Sequence, residues 1–71
     1  MKFEMKRGIM NFHIEKNYDW KAHKSIYRIW RYDPNACSIY RACTYPFCDV
    51  PDFDSFIHAV KYLKENINDM V

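Results

Sequence analysis

Residues 25–45 constrain the fold more than any other stretch of the chain. Two runs rich in β-branched and aromatic residues, 25–32 and 37–45, flank the tetrapeptide Asp33-Pro34-Asn35-Ala36. Proline presets φ for a turn, and Asp and Asn side chains bond their own backbone, so the stretch predicts a β-hairpin. It holds three of the four arginines, one of the two tryptophans and two of the three cysteines. The rest of the chain is expected to support this ribbon.

Upstream, residues 10–15 alternate apolar with polar, the period of a half-buried strand. Residues 1–9 are charged, contain the only glycine, and read as a flexible or short N-terminal lead-in, with Met1, Met5 and Met10 each a candidate start. Residues 16–24 are polar with Tyr18 and Trp20 interspersed; they read as a loop or a single helical turn, with a helix over 15–25 as the competing reading. Downstream, Pro46 cannot donate to a sheet ladder and is expected to end the second run. Residues 46–51 then connect to a helix over about 53–68, capped by Asp52. Its Phe53, Phe56, Ile57, Val60, Leu63 and Ile67 recur at three- and four-residue spacing, which makes one apolar face. The expectation is an α+β fold: a three-stranded antiparallel sheet with one C-terminal helix packed on one face (βββα), as a single domain over 10–71.

A chain of 71 residues is one small domain, which buries only about 60% of its unfolded surface. Aromatic residues make up 18% of it, more than so small a core absorbs, so some are expected at the surface. Exposed aromatic patches point to a partner or to self-association, and a homodimer is among the expected partners. No apolar leader segment and no run near the ~20 apolar residues of a membrane span is present, so the reading is a cytoplasmic protein with reduced thiols and no membrane partner.

Charge is uneven along the chain. Residues 20–45 carry five cations against one acid, whereas residues 46–71 carry two cations against five acids. With a four-residue loop at 33–36, Tyr32 pairs with Cys37, Trp30 with Ile39 and Arg28 with Arg41. Arg28, Trp30, Tyr32 and Arg41 then share one sheet face, while Tyr27, Ile29, Arg31, Ser38, Tyr40 and Ala42 share the other. Two arginines directly opposite each other call for an acid between them. A three- or five-residue loop would move Arg41 to the other face. The candidate binding residues are Arg28, Trp30, Tyr32 and Arg41, with Arg31, Lys24 and Trp20 beside them.

Other chemistry finds little support. Cys37, Cys43 and Cys48 are separated by five and four residues, of which only the second falls within the usual two to four of a zinc pair, and the six residues of strand from Cys37 to Cys43 span ~20 Å, too far for one ion. One glycine leaves no glycine-rich turn for an oxyanion hole beside His13, His23 or His58. No cofactor, metal or catalytic residue is expected, and the protein reads as a non-enzyme. Three strands then a helix, with Asp33-Pro34-Asn35 at the turn, resembles in outline the arm-binding modules of phage integrases, the AP2-type DNA-binding domains and small antitoxins of the HicB kind. The resemblance covers about residues 25–68 and rests on element order; the turn glycine and extra lysines of such modules are absent.

The functional expectation is a binding protein that blocks a larger host protein or protein–nucleic acid complex through its basic aromatic sheet face. A composition biased toward Lys, Asn, Ile, Tyr and Phe suits AT-rich coding DNA, and with it a phage or anti-defence inhibitor. The alternative is a nucleic-acid-binding module that uses the 25–45 ribbon, since β-ribbons enter grooves and aromatic rings stack on bases.

Overall fold

Four antiparallel strands in the order β1-β2-β3-β4 form the sheet, and one helix packs on one of its faces. The computed structural model describes residues 3–44 and 48–70. The strands are β1 (Phe3–Arg7), β2 (Met10–Asp19), β3 (Lys24–Asp33) and β4 (Ser38–Arg41). The α+β class with a C-terminal helix is as expected, with one strand more. The extra strand is β1, in the segment read as a lead-in. Its Phe3 and Met5 alternate with Glu4 and Lys6, and both apolar side chains pack against the core. Gly8 stands at φ +60° in the two-residue turn between Arg7 and its partner Met10, a backbone that hairpin turns require and other residues resist. Nothing lies within 4 Å of a Cβ built there, so Gly8→Ala is expected to cost about 1 kcal/mol from φ alone, read as a lower urea midpoint with an unchanged slope.

β2 runs on to Asp19 where a loop or helix was expected. Lys16 and Tyr18 fall on the helix-side face of β2 yet are exposed, while Asn17 and Asp19 on the other face are half-buried, so 16–19 is polar as the uncovered end of a strand and not as a loop. The β2–β3 and β3–β4 connections share one design. The Asp19 carboxylate accepts the Lys21 and Ala22 amides, at 3.0 and 3.3 Å, and His23 at φ 52° returns the chain. The Asp33 carboxylate accepts the Asn35 and Ala36 amides, at 2.9 and 3.4 Å, and Cys37 at φ 49° does the same. Each turn is four residues between paired ends, Asp19 with Lys24 and Asp33 with Ser38.

After β4 the edge of the sheet is interrupted and resumed. Ala42 still bonds to Ile29, then Cys43–Thr44 (β5) pairs with Cys48–Asp49 (β6) in a small side hairpin. The chain returns to the sheet at Phe53, whose amide and carbonyl exchange hydrogen bonds with Tyr27 at 2.9 and 2.7 Å. Residues 46–51 are therefore partly strand and not wholly a connecting loop; Tyr45 and Pro46, the expected strand end, lie outside the described residues.

The helix α1 (Phe56–Asn66) begins later than expected and passes into a 3-10 turn at Ile67–Asp69. Its N-cap is Ser55, without a side-chain cap, and Asp52, the expected cap, stands three residues earlier and accepts from Arg28. Ala59, Leu63 and Ile67 are buried against Phe12, Ile14 and Ile29, with Val50 and Met70 closing the ends. Phe53, Phe56 and Val60 flank them, and the Tyr27 ring meets Phe56 edge-on at 5.8 Å. Ile57, assigned to the apolar face by spacing, is 73% exposed: it sits about 100° round the helix from Phe56, and Ala59 fills the buried position instead.

Candidate functional site: the helix-free sheet face

Alternation along paired strands decides which residues the helix leaves uncovered. The register sets Glu4, His13, Trp30 and Arg41 in one row across the sheet, and Lys6, Asn11, Tyr32 and Ile39 in the next. Glu15 lies opposite Arg28, Asn17 opposite Ile26, and Asp19 opposite Lys24. All of these stand on the face opposite Phe12, Ile14 and Ile29. Arg28, Trp30, Tyr32 and Arg41 thus share a face, as expected. Their pairing differs by two positions. Ser38, not Cys37, starts β4, so Tyr32 meets Ile39 and Trp30 meets Arg41. The shift of two preserves every facing, and Arg28 stands diagonal to Arg41 instead of opposite it. The Asp33 cap and the positive φ of Cys37 move the loop to 34–37.

The acid that the two arginines require comes from the chain itself. The resumed edge places Asp52 next to Arg28, as Phe53 pairs with Tyr27. Asp52 accepts two hydrogen bonds from Arg28, Nε at 2.8 Å and a terminal nitrogen at 2.9 Å, and one from Arg41 at 3.3 Å. Arg41 also donates to the Val50 carbonyl at 3.1 Å. The Arg28 hydrogen bonds hold the Asp52 carboxyl below its ordinary pKa, against the opposing effect of its partial burial, and Arg28 is raised in turn. One residue pair further along, Lys24 donates to Asp54 at 2.8 Å, which raises the lysine.

The aromatic part of the face centres on Trp30, half-buried, with the Arg28 guanidinium 5.7 Å from its ring centroid. Tyr32 and Ile39 beside it are exposed. Trp20, in the β2–β3 turn, is 77% exposed and meets the Tyr18 ring edge-on at 4.6 Å. A shallow cleft of about 360 Å³ runs from Trp20 past Ile26 to Arg28 and Asp52. Arg31 is not brought to this site: it points to the helix side, over the Tyr40 ring at 5.0 Å. Lys24 lies at the end of the face.

The residues that sequence reasoning missed are the acids. By register and ion pairing the face carries four cations, Lys6, Lys24, Arg28 and Arg41, against five acids, Glu4, Glu15, Asp19, Asp52 and Asp54. The segment of β3 and β4 is basic, but the face it helps to build is not. One signal was present: Asp52-Phe53-Asp54 alternates like a strand. Among the described residues no group of three His, Cys, Asp or Glu is placed to hold a metal ion. Among the described residues no helix is long and apolar enough to cross a membrane. Comparison with protein-family models, curated proteins and solved structures finds no match.

Proposed function

We propose that the protein is a small non-enzymatic binding protein whose helix-free face docks on a larger protein and blocks it sterically. The observation that carries this reading is an uncovered sheet face with Trp30, Tyr32 and Ile39 at its centre and cations matched by acids around them. Trp, Tyr and Arg are the residue types that dominate binding energy in protein interfaces. Nucleic-acid affinity, by contrast, comes mainly from cations neutralising phosphates. Arg28 and Arg41 already share Asp52, and Lys24 already has Asp54, so few cations remain for phosphate. In a chain of this size and AT-biased composition, the setting that fits is a phage or mobile-element inhibitor of a host enzyme or defence complex, acting in the cytoplasm.

The test is capture from a bacterial lysate on the tagged protein. One stoichiometric protein is expected, lost when Trp30→Ala and Tyr32→Ala are combined and kept with the exposed helix control Ile57→Ala. Capture that survives the combined variant overturns the reading. A DNA or RNA mobility shift that weakens steeply between 50 and 200 mM salt, on the order of a thousandfold for six phosphate contacts, would favour the nucleic-acid alternative instead.

A further inference from the structure

The charges on the helix-free face are not scattered. The acids Glu4, Glu15 and Asp19 lie on β1 and β2, and the cations Arg41, Arg28 and Lys24 lie on β3 and β4. Each acid has its counterpart in the same cross-strand row: Glu15 is paired with Arg28, Asp19 with Lys24, and Glu4 ends the row that Arg41 ends on the other side. At these three heights the midline between β2 and β3 therefore sets an acid on one side and a cation on the other, with Lys6 on β1 and Asp52 and Asp54 beside the cations as the exceptions. A two-fold axis laid along that midline turns the face over onto a second copy. It keeps each row at its height and exchanges its two ends, so Glu4 comes to lie over Arg41, Glu15 over Arg28 and Asp19 over Lys24 of the second copy. Two-fold symmetry makes each match twice. It also stacks His13 of one copy over Trp30 of the other, at the centre. Face-to-face sheets pack about 10 Å apart with strands nearly aligned, a gap that glutamate and arginine side chains span together.

From this self-complementarity the geometry points to a second copy of the chain as an occupant of the face, in a two-fold dimer with the two sheets packed against each other. This rests on the docking reading above and names one partner for the same surface; self-association and capture of a larger target then compete for it. Of the three acids, Glu4 and Glu15 are available, whereas Asp19 caps the β2–β3 turn and Lys24 is already held by Asp54. Glu4 has no ion-pair partner among the described residues, and Glu15 has only the His13 ring at 3.4 Å. On the other side, two guanidiniums share the single Asp52 carboxylate, which leaves positive charge to be met. Strands of 5, 10, 10 and 4 residues at about 3.4 Å rise and about 4.8 Å apart give a face of roughly 500 Å² per copy, about 1,000 Å² in total. That is at the lower bound for a specific interface, so a weak, concentration-dependent dimer is expected.

Sedimentation equilibrium of the full chain from about 1 to 500 μM tests this, a range that brackets weak association. Wild type is expected to pass from monomer to dimer. Glu4→Lys with Glu15→Lys sets cations over Arg41 and Arg28 and is expected to weaken the dimer by about tenfold or more. Glu65→Lys with Asp69→Lys makes the same change in net charge away from the face and is expected to leave the dimer unchanged. Unaltered circular dichroism of both variants confirms that each folds. Wild type that stays monomeric throughout, or two variants that weaken the dimer equally, overturns the proposal. If the chain stays monomeric while capture from lysate is still lost with the Trp30 and Tyr32 substitutions, the dimer fails and the docking reading stands. If capture survives those substitutions, the docking reading fails whatever the dimer does.

Discussion

Phe12→Ala is expected to remove most of the stability of the fold. Phe12 has no exposed surface; it lies on β2 between Met5 of β1 and Arg31 of β3, within the core that the helix covers. Truncation of a buried phenylalanine to alanine costs about 3–5 kcal/mol, because the ring's transfer energy is lost and a cavity remains. A chain of 71 residues has about 4–10 kcal/mol to lose. In a domain of this size each kcal/mol shifts the melting temperature by about 4–8 °C, so a drop of about 20 °C is expected, with a large unfolded fraction at 37 °C. Thermal melts followed by circular dichroism read it. Ile57→Ala, 73% exposed on the same helix that covers Phe12, is expected to stay within about 0.5 kcal/mol of wild type. A cost below about 1 kcal/mol for Phe12→Ala would mean that the helix does not seat on β2 as described.

The contrast between Phe12 and Ile57 also measures what could be read from sequence. Strict alternation at 10–15 identified Phe12 and Ile14 as inward-facing, because a strand's period is two and one polar residue per pair suffices to mark it. The helix was legible in the same way, but its stripe is set by the element it packs on. Spacing alone admitted Ile57, 100° from Phe56, as readily as Ala59. β1 was unreadable for a different reason. Five residues with three charges carry little apolar signal, and their pairing comes from the Gly8 turn that folds them back on β2. The two Asp-capped turns were more legible than they looked. Asp19 and Asp33 each precede an alanine by three residues and a left-handed residue by four, and the recurrence would have narrowed the first loop from 16–24 to 20–23 and moved the second from 33–36 to 34–37.

The site was legible to the level of facing and no further. Arg28, Trp30, Tyr32 and Arg41 fall on one side under any even shift of register, so the two-residue difference cost nothing there. What the shift changed was the reason for having two arginines. Treated as a hairpin alone, the ribbon is basic and asks for an external anion. Treated as part of a four-stranded sheet with a resumed edge, it receives Asp52 for Arg28 from 24 residues further on and Asp54 for Lys24 from 30. That contact is non-local, and nothing in the composition of either segment specifies that Phe53 will bond to Tyr27. Charge counted along the chain therefore overstated the charge of the face.

Asp52 is where this non-local contact becomes measurable. Asp52→Asn keeps the shape and removes the charge that Arg28 and Arg41 share. The side chains of Asp52 and Arg28 are 28% and 27% exposed, and Arg41 is 37% exposed, so solvent screens the network without dissolving it. Exposed pairs contribute at most about 1 kcal/mol, and breaking fully buried ones costs about 3–5. A loss of about 1–2 kcal/mol near neutral pH is expected for this half-buried, bidentate case. The pH dependence has a definite sign. Arg28 lowers the folded-state pKa of Asp52 below its ordinary value. Its contribution is then complete above the ordinary carboxylate pKa of about 4 and fades as pH falls through the lower folded value. Urea midpoints of wild type and Asp52→Asn are therefore expected to differ by a constant amount from about pH 5 to 8 and to draw together as pH falls below about 4. A gap that does not narrow as pH falls below about 4 would mean that Asp52 acts through shape and not through its charge. The same substitution leaves two guanidiniums without their shared acid on the helix-free face. If the acids there are what turns a basic ribbon toward protein partners, Asp52→Asn should raise salt-sensitive binding to nucleic acid above the wild-type background, and a mobility shift at low salt reads that directly.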